Sequence, residues 1–195
     1  MDKVKRIFKR YPVTCTFTGL CVVALLLNYL TAGYANRVLF SVYRSSLKDP
    51  LFYFRLVGHS LGHSGINHLL NNMLLVVLVG PMLEDRYPRG FLIGFILFTS
   101  VFIALANLIF FPNIRLLGAS GVACGFLMLM ATGLIGRRGE IPLSFMLVPG
   151  YFVFRQLYGA IFLRDTVSQF SHLLGYLCGF LFGYMNKSSR RRREL

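Results

Sequence analysis

The sequence predicts an all-α polytopic membrane protein, and three observations carry that prediction. The 195 residues are 55% hydrophobic and only 14% charged, far from the balance of an ordinary soluble domain. Six separate apolar runs approach the ~20 residues a helix needs to cross a bilayer. The basic residues gather between those runs, on alternate sides.

Taken in order, residues 1–10 (MDKVKRIFKR) form a basic N-terminal segment. The first span, 11–30, exceeds the ~7–15 residues of a signal-peptide apolar region, and no small-x-small cleavage site precedes a soluble domain, so it reads as a retained helix. Later spans fall at 63–83, 91–111, 116–135, 141–159 and 170–185, giving a six-helix domain over 11–186 and a basic tail at 187–195. Short connections between the third and sixth spans predict a compact antiparallel bundle. The connection between the first two spans is long and carries LFSVY and LFYF. Such an apolar loop is expected to lie partly embedded in the outer leaflet.

Orientation follows from lysine and arginine. With the N-terminus cytoplasmic, the inner segments 1–10, 84–90, 136–140 and 186–195 hold five, two, two and five of the 21 basic residues. The positive-inside rule then places both termini in the cytoplasm. Topology therefore accounts for the +14 net charge, and the tail KSSRRRREL suits anionic lipid. Nucleic acid is not an expected partner, because the basic residues sit at helix ends and form no aromatic-interleaved patch. Cys15, Cys21, Cys124 and Cys178 all lie in spans, with neither metal-type spacing nor a place in the exposed loop where a disulfide is expected.

Polar groups inside a bilayer are costly and are functional candidates by default. All four histidines cluster in two stretches: His59, His63 and His68, with Asn72, in GHSLGHSGINHLLNNML, and His172 in SQFSHLLGYLCG. His68 and Asn72 are four apart and share one helix face. His59 and His63 precede the span among Gly58, Gly62 and Gly65, and are read as structural, hydrogen-bonding the loop in place. The three histidines raise a metal or haem reading. Without HExxH, an acidic neighbour or a common helix face, neither a metal nor another cofactor is expected.

His172 is followed by Gly175, Gly179 and Gly183, a stripe that lets a partner helix approach closely. The fourth span offers Gly121 and Gly125 as the complement, just after Ser120 in LLGASGVACG. A close pair of helices bearing Ser120 and His172 at the same end can bring a hydroxyl within ~2.6–3.2 Å of an imidazole, the arrangement of nucleophilic catalysis. Oxyanion donors are then available from the Ser120 backbone N–H, Asn72 and His68. Pro112, Asn113 and Gly118-Ala119 mark an irregular lead-in, so the fourth helix is expected to start near Ser120. From there to Ile135 it measures ~24 Å against a ~30 Å hydrocarbon core, which sinks its outer end below the membrane surface. Irregular backbone at that depth requires protein cover or a watery cavity, and Ser120 is expected on the floor of a wet pit open to the outside.

With these residues in view, the chain resembles the rhomboid family of intramembrane serine proteases over essentially its whole length. GASG at 118–121 is similar to the family's GxSG, HLLGYLCG at 172–179 to its HxxGxxxG, and HSLGHSGINHLLNN at 59–72 to its HxxxHxxxxHxxxN. Phe54-Arg55 resembles the aromatic-Arg pair of the first outer loop, and Glu84 after GPML resembles the GxxxE carboxylate. The resemblance implies a rhomboid-like six-helix bundle with a membrane-associated loop between helices 1 and 2. It implies Ser120 as nucleophile, His172 as general base and then acid, His68 and Asn72 in the oxyanion hole, and Arg55 as structural. It also implies transmembrane proteins as substrates, cut near the outer end of a helix on the extracytoplasmic side of the cell membrane.

Two departures stand out: Cys124 where the family often has Tyr or Phe beneath the histidine, and Pro88 where a glycine often follows the glutamate. The fifth span, with Pro142, Pro149 and Gly150 as kink points, is the expected lateral gate, with Arg155 and Gln156 facing the interface or the pit. The rival reading is a non-proteolytic rhomboid-like chaperone or quality-control factor that binds transmembrane segments. Such relatives usually lack the nucleophile or the base, and this sequence has both.

Overall fold

The computed structural model describes residues 2–133 and 166–193, together with Leu147, Gly150, Tyr151, Phe154 and Tyr158. The remaining positions of the expected fifth span, including Pro142, Pro149, Arg155 and Gln156, lie outside the described residues. Among the described residues the fold is α-helical, with one isolated antiparallel bridge between Val42 and Leu116.

A short basic helix α1 (Asp2–Arg10) leads into α2 (Pro12–Leu30). Proline in the first turn suits a helix start, since its missing N–H would be unpaired there anyway. Tyr11 offers no side-chain cap. The cap comes instead from Glu84, whose carboxylate accepts from Val13 N at 3.1 Å and Thr14 N at 2.8 Å. A carboxylate at this position satisfies orphan donors and the positive end of the helix dipole. The family-like glutamate thereby ties the second span to the start of the first.

The loop after α2 folds into α3 (Tyr34–Val38) and α4 (Pro50–Gly58). Asp49 caps α4 by accepting from Leu51 N and also pairs with Arg55, a side chain only 2% exposed. Arg55 further donates to Leu51 O at 3.0 Å and Tyr43 Oη at 2.6 Å. Buried arginine is tolerable because its donors are met by a carboxylate, a carbonyl and a hydroxyl. Both Arg55 and Arg115 lie against the Tyr43 ring.

Helix α5 (Ile66–Glu84) begins three residues later than the expected span, because the chain around Gly62–Gly65 is irregular and Gly65 is fully extended. Helix α6 (Arg89–Phe110) follows a short turn. Helix α7 (Ser120–Gly133) starts at Ser120 after the irregular stretch 111–119, and α8 (Thr166–Arg193) extends the expected sixth span at both ends. The α8 extension has a simple cause: TVSQ and KSSRRRR are helix-compatible although too polar for an apolar run to reveal.

Helices α2, α5 and α6 are each long and apolar enough to cross a membrane. They leave large apolar side chains such as Leu26, Leu74, Leu78, Phe98 and Ile109 exposed. Exposed apolar surface on this scale suits lipid and would be a liability in water. Inside, Cys21, Val76, Leu83, Phe95, Val122 and Leu129 join one core. The most extensive contact between described helices is α7 against α8.

Candidate active site

The α7–α8 contact is made by glycine. A Cβ added at Gly175 would press on the Gly121 carbonyl and sit 2.9 Å from its carbon. One added at Gly179 would lie 2.9 Å from both Leu129 N and Met128 Cβ. Backbone thus meets backbone along the seam. A Cβ at Gly121 would lie 3.3 Å from Ser171 O, so the sequence neighbours of Ser120 and His172 meet across the seam. One turn further in on each helix, Cys124 and Tyr176 are both buried.

The second wall comes from α5. Gly118 has φ +131°, a conformation that favours glycine, and a Cβ there would lie 3.0 Å from His68 Nε2 and 3.8 Å from Asn72 Nδ2. His68 and Asn72 therefore face the backbone two residues ahead of Ser120. The Ser64 N–H and Ser64 Oγ lie 3.4 Å and 3.1 Å from His68 Nδ1. A nitrogen that accepts from an amide carries no proton, so neutral His68 holds its proton on Nε2, the atom beside Gly118. The Asn72 amide nitrogen is buried, and among the described residues it has no hydrogen-bond partner. Two N–H donors thus converge on the entry to α7.

His59 and His63 border this convergence and hold the loop around it. His59 Nε2 is 3.0 Å from Ser100 O, and His63 Nδ1 is 3.0 Å from Leu61 O. The His59 carbonyl also accepts from Gly118 N at 2.9 Å, which holds the lead-in to Ser120. His63 O accepts from Asn36, and the His63 ring meets His68 edge-on. Among the described residues no three His, Cys, Asp or Glu side chains are grouped to hold a metal ion. The sequence reading passed over Ser64, which orients His68, and Tyr176, buried one turn from His172. The signal for Tyr176 was present, since His172 and Tyr176 are spaced four apart just as Ser120 and Cys124 are.

Burial, only partly opposed by the bond to Ser100, pushes the His59 imidazole down to about 4 from 6.5. The unfolded chain binds the extra proton over that interval, so this group's contribution is present above pH 6.5 and lost as the pH falls through 4. Its size is on the order of 3 kcal/mol. Thermal unfolding in detergent is expected to weaken steadily below pH 6.5, with a smaller slope for His59→Gln. An identical slope in the two proteins counts against a buried neutral His59.

Apolar spans, lipid-facing surface and a polar site sunk between helices define a polytopic α-helical membrane protein. A rhomboid domain model matches residues 50–189. Rhomboid-related protein 1 of Caenorhabditis elegans is 32% identical over 140 residues, which is 68% of this chain and 39% of that longer protein. The chain belongs to the rhomboid family.

Proposed function

We propose that this rhomboid-family chain is an intramembrane serine endopeptidase acting on transmembrane proteins. The observation that carries the reading is the convergence on Gly118, two residues before a serine that opens a helix, of His68 Nε2 and the Asn72 amide, which has no hydrogen-bond partner among the described residues. Two hydrogen-bond donors aimed at one spot serve little structural purpose unless an oxygen arrives there.

In the proposed reaction Ser120 Oγ attacks a peptide carbonyl carbon while its proton passes to His172. The carbonyl oxygen takes up negative charge and is met by Asn72, His68 and the Ser120 backbone N–H. The tetrahedral adduct collapses as His172 protonates the leaving amine and the C–N bond breaks. Water then attacks the ester by the same route and frees Ser120. No metal or other cofactor enters this chemistry. Water access is supported by the irregular stretch 111–119 ahead of Ser120, since irregular backbone at membrane depth needs protein cover or a watery cavity. The proposed site opens to the extracytoplasmic side, with both termini cytoplasmic. Substrate helices must unwind locally to present a carbonyl, which residues of poor helix propensity make easier.

A serine-directed fluorophosphonate, applied to the full chain in detergent, is expected to label the wild type and to leave Ser120→Ala and His172→Ala unlabelled. The same two variants are expected to stop cleaving a model transmembrane substrate. A wild type that is neither labelled nor active would overturn the protease reading in favour of a binding role for transmembrane segments.

A further inference from the structure

At the end of the bundle opposite Ser120, a groove of about 480 Å³ opens between α2 and α6. That is within the ~300–1,000 Å³ range of ligand sites. Its walls are almost wholly apolar and include Phe17, Leu20, Ile93 and Leu97. Along α6 it runs from Arg89 to Leu97, ~12 Å at the helical rise, or most of one leaflet's half of a ~30 Å core. Val57 at the end of α4 and Ser60 and Leu61 of the loop after it roof it at depth. The groove therefore opens toward one leaflet and ends near mid-membrane.

The mouth is basic. Arg89 lines the groove and donates to Lys9 O at 3.1 Å, which sets the exposed α1 helix beside it. Of the acid side chains described at this end, Asp85 is engaged by Arg10 and Glu84 by the start of α2. Among the described residues Arg89, Lys9, Arg6 and Lys5 are left without an anionic partner. An apolar slot one leaflet deep beneath a group of basic side chains matches an acyl chain under a phosphate.

We propose that this groove is a binding site for one anionic phospholipid, its acyl chain along Ile93 and Leu97 and its headgroup phosphate at Arg89 and the end of α1. The roof gives the lipid a route to the other end of the molecule. Ser60 and Leu61 directly follow His59, whose carbonyl holds Gly118 N. Lipid packed under that roof braces the loop that positions the lead-in to Ser120. Binding itself does not depend on the protease reading and is measured separately from it.

The full chain, stripped of lipid in detergent and then offered phosphatidylglycerol or phosphatidylcholine with identical acyl chains, is to be examined by native mass spectrometry and thermal unfolding. The wild type is expected to retain one phosphatidylglycerol per chain, with at least tenfold preference over phosphatidylcholine and a raised unfolding midpoint. Arg89→Gln, at an exposed helix end, is expected to lose the preference between headgroups. Ile93→Trp, which fills the slot, is expected to retain neither lipid. Equal retention of both lipids by the wild type, or unchanged preference in Arg89→Gln, overturns the proposal. So does disulfide formation between chains of an Ile93→Cys variant at the expense of bound lipid, which assigns the groove to a second copy.

Discussion

Gly175→Ala is expected to separate α7 from α8 and to abolish both fluorophosphonate labelling and a large part of the thermal stability. The added methyl would press on the Gly121 carbonyl and lie 2.9 Å from its carbon. A flexible side chain could swing away from such a contact, but these atoms belong to the backbone of a neighbouring helix. The seam continues at Gly179 against Leu129 N and Met128, so relief at one level cannot be absorbed at the next. Overpacking of this kind costs typically ~1–3 kcal/mol, and a backbone-to-backbone clash belongs at the upper end. Gly94→Ala on α6 is the control, since a Cβ there meets nothing within 4 Å. That change is expected to be neutral or to stabilise by up to ~1 kcal/mol through helix propensity. Should Gly175→Ala keep the wild-type unfolding midpoint and labelling, the close seam is not what the site depends on.

The seam was legible in the sequence because it is periodic. Gly175, Gly179 and Gly183 repeat every four residues, and a helix turns that spacing into a stripe without reference to the rest of the chain. The start of α7 was legible for a similar reason, as Pro112 and Gly118 disfavour helix locally. What stayed hidden depends on contacts between distant segments. Nothing in the sequence around Gly118 says that its N–H is held by the carbonyl of His59. Glu84 could be matched to a family position, yet its bonds to Val13 N and Thr14 N appear only once α2 and α5 are packed. The proton on His68 Nε2 is likewise set by Ser64, whose geometry follows from an irregular turn with no repeating pattern. Hydropathy also misjudged helix ends: α8 continues into polar residues and α5 starts after His63, because a helix is bounded by backbone conformation and an apolar run by solvent.

Asn72→Ala is expected to lower kcat on a transmembrane substrate by ~10²–10³, with KM little changed, while leaving the protein as stable as the wild type or more so. The two halves of this expectation come from one observation. Asn72 is 8% exposed, and among the described residues its amide nitrogen has no hydrogen-bond partner. A buried donor without an acceptor costs ~1–3 kcal/mol, so removing it relieves the resting protein. The same donor faces Gly118, two residues before Ser120, and in the proposed reaction it becomes fully paired only as charge develops on the substrate oxygen. An interaction made in the transition state and absent from the ground state acts on kcat and leaves substrate binding nearly untouched. A structural asparagine behaves in the opposite way, with stability and rate falling together. Paired measurement of the unfolding midpoint and kcat for Asn72→Ala thus separates the two roles: a lower midpoint with a proportionate loss of rate removes Asn72 from the oxyanion site, whereas an unchanged or higher midpoint with a large fall in kcat is what a preorganised donor requires.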